Sequence, residues 1–526
     1  MDLAFALSSL AAHGAVFLLV PSADALLLAL LVCAYVWLGL PGRRVFYVAL
    51  SAFAVVLLCF RAAEFLVPLF FDRPFVLYTD WSYLPDLYGL LRDTQSPLLF
   101  YPGLAVIAAA LGAAGYGLYW TFVGLEPGFR RIPYRVAFLA SAGVLVLLSL
   151  AAGLPFLSGS SVPRLVEELG KVIRRPAYAQ QQRAYLAEHS GKTVKAPLAG
   201  LGGRNLLLFV VESYGYTLYS EAAHFEPIRE DLQRIEAGLQ GAGYQLASTF
   251  LSSPAFGGNS WLADSTLATG VRVENEEAYR LLLGSEVTPM AGYFNEAGYR
   301  TVTAMPAITY DWPEGDFFRF QKQYHFQDLG YRGPNLKWAP MPDQYVLDAM
   351  HRREVATAAG PLFLQYVLVS SHYPFNLIPR YFEDWDGIGD GSIYAREDAV
   401  QTLPIRPGNQ TAGAEGYVAA IRYELTLISE YLRRFIDDES LVVVLGDHQP
   451  YSGITGKGKP RSVPVHIISR QARLVEPFLK RGYTPGLIPR QPLPHAGLES
   501  FLPGLLEDFS PAESEGEPAG TRASPA

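Results

Sequence analysis

Three short stretches place groups capable of metal and phosphate chemistry at the ends of apolar runs. "NLLLFVVESYG" leads into Glu212 and Ser213, "FLQYVLVSSHYPF" into Ser370, Ser371 and His372, and "LVVVLGDHQP" into Asp447 and His448. A glutamate, an aspartate and a histidine together offer the oxygen and nitrogen ligands that suit a single divalent metal. The only two cysteines, Cys33 and Cys59, lie inside other apolar runs. That argues against a thiolate site or a disulfide framework and leaves Mn²⁺, Mg²⁺ or Zn²⁺ as the ions to expect. Each residue also has a plainer reading. A carboxylate after a strand commonly caps the next helix, and a lone histidine is usually a satisfied core or surface group. Yet the whole chain has nine histidines, and two of them closely follow strand-like runs.

A fourth stretch supplies a nucleophile. "LASTFLSSPAFGGNS" reads as a strand followed by a glycine-rich turn, with Ser260 opening "SWLADSTLATG" as a helix. A helix N-terminus presents free N–H groups and the positive end of the dipole, which suit a phosphate. A metal on the Ser260 oxygen would lower its pKa and make it a nucleophile. Taken alone, Ser260 reads equally well as a helix cap; the metal candidates elsewhere favour the catalytic reading. No G-x-S-x-G elbow, P-loop or dinucleotide fingerprint occurs. Asp447 and His448 are adjacent, so their side chains diverge and poorly suit a serine-protease relay.

Such groups need a scaffold that brings distant segments to one edge. From residue 205 onward, apolar strand-like runs alternate with helical stretches such as "AEGYVAAIRYELTLISEYLRRFIDD". That pattern predicts a mostly parallel α/β sheet with helices on both faces. In such sheets ligands bind beyond the carboxyl ends of the strands.

The rest of the chain reads differently. Of 526 residues 50% are hydrophobic and 17% charged, and the long apolar runs gather in residues 1–157. Five of them, about 3–20, 23–40, 45–69, 98–125 and 136–157, are long enough to predict membrane spans. The first lacks the basic start and cleavage site of a signal peptide. Arg43 and Arg44, and then Arg130, Arg131 and Arg135, lie in alternate loops that should be cytoplasmic. The loop with Asp72, Asp80, Asp86 and Asp93 should lie outside. The N-terminus is then cytoplasmic and everything after Leu157 extracytoplasmic (periplasmic). Arg61 and Glu64, three residues apart within the third segment, are expected to pair on one helix face; intramembrane charges also count as functional candidates. Residues 158–204 read as a connector whose "VPRLVEELGKVIRR" forms an amphipathic helix. Residues 205–508 form the globular domain, and the Pro-, Gly-, Ser- and Glu-rich 509–526 a disordered tail. A net charge of −8 without a basic patch predicts no nucleic-acid partner.

Together these residues resemble the lipoteichoic acid synthases and their relatives, sulfatase-like members of the alkaline phosphatase superfamily. "FVVESYG" is similar to the family's first metal-ligand segment, "GGNSWLADS" to its nucleophile region, "SSHYPF" to its histidine segment, and "LGDHQP" with "SVPVHIISR" to its closing segments. The resemblance covers about residues 203–505 and, more loosely, the spans. It implies a sulfatase/alkaline-phosphatase-like α/β fold behind a five-span α-helical membrane domain. It also implies one divalent metal (Mn, Mg or Zn) held by Glu212, Ser260, Asp447 and His448. Ser260 takes the nucleophile's place, where most of the synthases have Thr, and His372 faces the substrate as a catalytic residue. Asn259, within the nucleophile region, and Trp312, from "YDWPEGDFFRF", are candidate substrate contacts. The resemblance does not carry the substrate; the expected donor is a membrane phospholipid, with phosphoglycerol or phosphoethanolamine transferred to an envelope glycan or lipid. "SWLAD" lacks the Pro and Arg of C/S-x-P-S-R, so the formylglycine chemistry of true sulfatases is not expected. A phosphate- or sulfate-ester hydrolase using the same site, and a scaffold with a degenerate site, are the alternatives.

Overall fold

In the computed structural model the described residues are 23–71, 74–81, 84, 88, 97–152, 161–191, 197–405, 412–436 and 440–510. The chain separates into two compact units, one up to Ala177 and the other essentially from Tyr178 onward.

The first unit is helical: α1 (Ala23–Leu38), α2 (Arg43–Phe71), α3 (Pro97–Arg130), α4 (Ile132–Ala152) and the first half of α5 (Val162–His189). Among the described residues two helical stretches, Arg43–Pro68 and Phe100–Arg130, are long and apolar enough to cross a membrane, where the sequence predicts five. The second predicted span is a helix of 16 residues, shorter than the ~20 that a ~30 Å hydrocarbon layer requires. The apolar part of α4 counted in the same way is the short stretch Ile132–Val144. The first predicted span, and residues 153–157 of the fifth, lie outside the described residues. The expected Arg61–Glu64 pair is also corrected. Arg61 meets Asp24 of α1 at 3.3 Å, and Glu64 meets Arg164 of α5 at 3.2 Å. Two further Asp24 contacts come from the Ser161 N–H, at 3.0 and 3.1 Å. Charges that look like an intrahelical pair in one dimension therefore join separate helices.

The second unit is built on a sheet of eight strands. They are β1 (Asn205–Val211), β2 (Gln245–Ser252), β3 (Arg300–Met305), β4 (Lys322–His325), β5 (Leu362–Leu368), β8 (Ser440–Gly446), β9 (Ser462–Ser469) and β10 (Thr484–Pro485). β6 (Leu377–Pro379) and β7 (Val400–Thr402) form a separate two-stranded ribbon. The sheet order is β10-β2-β9-β8-β1-β5-β3-β4. β8, β1, β5, β3 and β4 run parallel, while β9, β2 and β10 complete one side antiparallel. The expected mostly parallel sheet is present, with an antiparallel flank that short apolar runs do not announce.

The central strand shows why these runs read as continuous. Leu207, Phe209 and Val211 pack into one hydrophobic cluster, and Leu206, Leu208 and Val210 into another. Successive side chains of a strand point to opposite faces, so β1 is apolar throughout because both faces are covered. Burying a side chain of this size contributes about 1.5–3 kcal/mol. The cluster around Phe209 includes Tyr417, Ile421, Ile428 and Tyr431 of α9 (Gly413–Phe435), and that around Leu208 includes Ala263 and Leu267 of α7 (Ser260–Thr269). The last helix, Phe501–Phe509, ends on a buried residue, so ordered packing runs through Phe509. Residues 511–526, assigned to the tail, lie outside the described residues.

Candidate metal and nucleophile site

Strand register carries the first half of the site. Val211, the last residue of β1, pairs with Leu368 of β5 on one side and Gly446 of β8 on the other. All three strands stop level, so the residues that follow share one edge. Gly446 is required here: a Cβ on it would lie 1.8 Å from the Tyr214 carbonyl oxygen. Only the bare backbone lets the loop after β1 cross so close to the end of β8.

Past this point both loops turn inward. Ser213 adopts the left-handed conformation with φ 59°. Its N–H donates to Asp447 Oδ1 at 2.8 Å and its hydroxyl donates to Glu212 Oε1 at 2.9 Å. Asp447 Oδ1 also accepts the His448 N–H at 2.6 Å. The helix-cap reading of Asp447 is thereby corrected, because the backbone donors it satisfies lie in the two site loops. The Ser371 hydroxyl, after β5, donates to the Glu212 carbonyl at 2.7 Å.

Glu212, Asp447 and His448 are all buried, and a ligand atom from each lies within 4.8 Å of the other two. His448 Nε2 stands 3.3 Å from Glu212 Oε1 and 3.4 Å from Asp447 Oδ2. The other ring nitrogen, Nδ1, is 2.7 Å from the Gln449 carbonyl. That carbonyl can only accept, so Nδ1 carries the proton and Nε2 offers its lone pair to the carboxylates' side. Two buried carboxylates and a ring nitrogen that converge with no lysine or arginine bridged to them among the described residues form a donor set that fits a divalent cation.

The protein's own charges describe the same conflict. Burial pushes the Asp447 carboxyl up to about 7, reinforced by the charge of Glu212. Burial works against His448 charging as well, but Asp447 and Glu212 outweigh it and carry the imidazole up to about 9. Burial also opposes the Glu212 charge, yet His448 and His372 hold that carboxyl down at about 2. The group is stable only with a positive charge in its midst.

The nucleophile arrives from the second half of the site. Gly257, Gly258 and Asn259 all have positive φ, at 66°, 137° and 63°, and this turn delivers Ser260 as the first residue of α7. The Gly257 N–H donates to the Gln449 carbonyl at 2.9 Å, tying the turn to the Asp447–His448 loop. Ser260 Oγ lies 3.3 Å from Glu212 Oε2 and 3.2 Å from His448 Nε2. The cap reading of Ser260 is therefore corrected: Asn259 holds the cap position without a side-chain bond, and the serine hydroxyl points away from its own helix into the acidic group.

The remaining predicted residues separate into two sets. His372 is half-buried, its Nδ1 2.7 Å from the Tyr373 carbonyl, and its charge is among those acting on Glu212. Asn259 precedes the nucleophile in the turn. Trp312 instead stacks on Phe318 at 5.5 Å and edges onto His325 at 6.1 Å, beside a cluster with Leu262 and Tyr279. Its contacts are with this aromatic neighbourhood, and none joins it to Glu212, Ser260, Asp447 or His448 among the described residues. His466 is held in the interior of β9 between Ser248 Oγ at 2.7 Å and Tyr214 Oη at 2.8 Å; burial pulls it down to about 3, so it stays neutral. Sequence reasoning missed Trp338, whose ring lies parallel to His372 with centroids 5.3 Å apart and planes at 9°. It comes from a loop with no motif, so only the fold reveals it.

No protein-family profile matches the chain, and no curated protein sequence does. Among solved structures the chain is similar to the lipoteichoic acid synthase LtaP from Listeria monocytogenes. Identity is 15%, 61% of this chain and 81% of that chain are covered, and the TM-score is 0.39. It is similar to a Vibrio parahaemolyticus protein in the alkaline phosphatase superfamily, at 14% identity over 60% of this chain and 79% of that one, with a TM-score of 0.37. It is also similar to the Streptococcus pyogenes phosphoglycerol transferase GacH in complex with sn-glycerol-1-phosphate, at 11% identity over 65% and 87%, with a TM-score of 0.38.

Proposed function

We propose that this chain is a metal-dependent phosphotransferase that moves the head group of a membrane phospholipid, phosphoglycerol or phosphoethanolamine, to an envelope glycan or lipid through a phospho-serine intermediate. The observation that supports it most is the position of Ser260. Its hydroxyl sits at a helix N-terminus while its oxygen meets Glu212 and His448 at 3.3 and 3.2 Å. One group thus combines an anion-binding helix end with a ligand set for a cation.

Glu212, Asp447, His448 and Ser260 would hold the metal. Bound there, a divalent cation would lower the pKa of the serine hydroxyl and offset negative charge on a phosphate. The chain's own residues do the rest. Asn259 and the first N–H groups of α7 receive the phosphoryl oxygens. Ser260 Oγ releases its proton to solvent water and bonds to phosphorus as the bond to the lipid oxygen breaks. His372, whose Nδ1 is fixed by the Tyr373 carbonyl, donates from Nε2 to that leaving oxygen. In the second half an acceptor hydroxyl yields its proton to His372 and bonds to phosphorus, and the serine oxygen leaves and takes a proton from solvent water.

The helices of the first unit would anchor the enzyme, with the basic loops at Arg43–Arg44 and Arg130–Arg135 cytoplasmic and the second unit on the outer, periplasmic side. The division into a 1–157 membrane domain, a 158–204 connector and a 205–508 catalytic domain belongs to this proposal.

The test compares full-length wild type with Ser260→Ala on head-group-labelled phospholipids, with and without chelator. Wild type should transfer label, and the variant should be at least about a thousandfold slower. Phosphate on Ser260 should be visible by mass spectrometry when acceptor is withheld. Turnover by Ser260→Ala at the wild-type rate would sink the assignment. Rapid release of soluble head group without acceptor would replace the transferase with a hydrolase.

A further inference from the structure

The loop that carries His372 is tied down residue by residue. It leaves β5 after Leu368, and Asp343 Oδ2 accepts the N–H groups of its first two residues, Val369 at 2.8 Å and Ser370 at 2.6 Å. Ser370 returns the contact, its hydroxyl oxygen accepting the Asp343 N–H at 3.0 Å. The Ser371 hydroxyl then donates to the Glu212 carbonyl at 2.7 Å. The His372 N–H closes the turn on the Val369 carbonyl at 3.1 Å. The imidazole stacks on Trp338, while the backbone beneath it is held by Asp343 on one side and by the Glu212 segment on the other.

Asp343 is not placed as a helix-capping acid is. It is the first residue of the helix Asp343–Met350, where a carboxylate ordinarily serves the N–H groups of its own helix. One of its oxygens instead takes two N–H groups of another segment, 26 and 27 residues further along the chain. Its side chain also faces Glu424, and both residues are fully buried. Burying two acids side by side costs stability that apolar residues of similar size would not. What the carboxyl supplies, and an apolar residue could not, is a single acceptor strong enough for two N–H groups, at the root of the His372 loop.

We propose that Asp343 is a positioning residue of this site: through the Val369 and Ser370 N–H groups it fixes where His372 stands relative to Glu212, and so the reach of the imidazole to the bound phosphoryl group. It acts on the rate through His372 and leaves the metal group alone. The role of His372 rests on the phosphotransferase reading; the holding of its loop does not.

The experiment is a double-mutant cycle in the full-length, Mn²⁺-loaded protein in detergent micelles, with head-group-labelled phosphatidylglycerol as donor, joined to amide hydrogen exchange on the same preparations. Asp343→Ala should lower kcat about tenfold or more, since a misplacement of about 1 Å can cost about a hundredfold. KM for the lipid and Mn²⁺ affinity should stay within about twofold, because neither depends on His372 alone. Asp343→Asn keeps one acceptor oxygen for the two N–H groups and should recover most of the rate. In a His372→Ala background, Asp343→Ala should change kcat by less than about twofold. An aspartate with a merely structural role would lower kcat by the same factor in both backgrounds. That result, or an unchanged kcat in Asp343→Ala, overturns the proposal. Should Asp343→Ala fail to fold, Ser370→Ala removes the returned bond and enters the same cycle, with an expected fall of about two- to fivefold.

Amide exchange needs no lipid. In Asp343→Ala the peptide covering residues 369–376 should exchange at least about tenfold faster relative to the peptide covering Asp447 and His448, and Asp343→Asn should restore the wild-type ratio. A ratio unchanged in Asp343→Ala overturns the proposal. The two readings then fail separately. The expected exchange with no lipid turnover by wild type removes the transferase and leaves Asp343 holding the loop, whereas wild-type turnover with unchanged exchange removes Asp343 alone.

Discussion

The second unit buries two groups of acids, and they are built to opposite ends. Glu212 and Asp447 converge with His448 and Ser260 past the ends of β1 and β8. Asp343, at the start of the helix Asp343–Met350, faces Glu424 of α9 side chain to side chain, with both residues fully buried. Asp343 Oδ2 is committed to the chain, accepting the Val369 and Ser370 N–H groups at 2.8 and 2.6 Å. Its Oδ1 and both Glu424 oxygens have no other donor. Burial, and then the Asp343 charge, push Glu424 well above the usual carboxylate range, so a proton held between the two carboxyls satisfies the pair. The first group has a ligand nitrogen and a nucleophile, and without a metal its positive charge is the proton that His448 takes up; the second solves its charge problem with a proton between carboxyls. Buried acids alone therefore do not mark a site. What does is the company of a ligand nitrogen and a hydroxyl with nothing structural left to do.

Four substitutions or conditions can break that contrast. The largest effect should come from His448→Ala, which removes the ligand nitrogen from the first group: metal affinity should fall about a hundredfold or more, read by isothermal titration with Mn²⁺ or Zn²⁺. Wild-type affinity in this variant would mean that the acids bind the ion without it. Next comes Asp343→Ala, which strands the Val369 and Ser370 N–H groups; it should cost about 2–4 kcal/mol in denaturant unfolding, with metal affinity retained in the folded fraction.

A smaller effect is expected from pH. His448 titrates at about 9 and Asp447 at about 7 in the metal-free group, so both protons must leave before the ligands bind metal. Affinity should rise at least about tenfold from pH 6 to 8, with proton release measurable by titration in buffers of different ionisation heat. Affinity that is flat over this range would contradict the ligand set. The stability of the metal-free protein should run the other way. His448 is raised above its unfolded value of about 6.5, so its contribution is complete below that pH and is lost as pH climbs towards 9. The smallest effect belongs to Glu424→Gln. Because that residue already carries a proton, a neutral isostere should change stability by less than about 1 kcal/mol at pH 7, checked in the same unfolding assay. A loss of several kcal/mol would show that Glu424 is ionised and the pair is not proton-sharing.

How far the sequence could be read depended on the range of each signal. The runs ending at Val211, Leu368 and Gly446 were legible because strands covered on both faces must be apolar throughout. The glycines before Ser260 marked a turn because positive φ is costly for other residues. Trp312 shows the limit of that reading, because an aromatic near a short motif looks the same in one dimension whether it lines a site or packs on its neighbours, as this one does on Phe318. Arg61 and Glu64 were expected to pair with each other but meet Asp24 and Arg164, because spacing along one helix carries no information on what a second helix brings. Among the described residues two of the five expected spans are long and apolar enough, because apolar length was judged without knowing where helices begin and end.

By itself the sequence determined the classes of group available: carboxylates, two histidines and one serine at strand and helix ends, no thiolates, and a division between apolar helices and an α/β unit. Those follow from local rules of periodicity, turn chemistry and composition. Only the tertiary structure decided which groups meet. The level ends of β1, β5 and β8, the close pass of Tyr214 over Gly446, the aim of Ser260 away from its own helix and the stacking of Trp338 on His372 all join residues far apart in the chain. Such contacts depend on strand order and register, which are set by the packing of two cores at once and by no single segment.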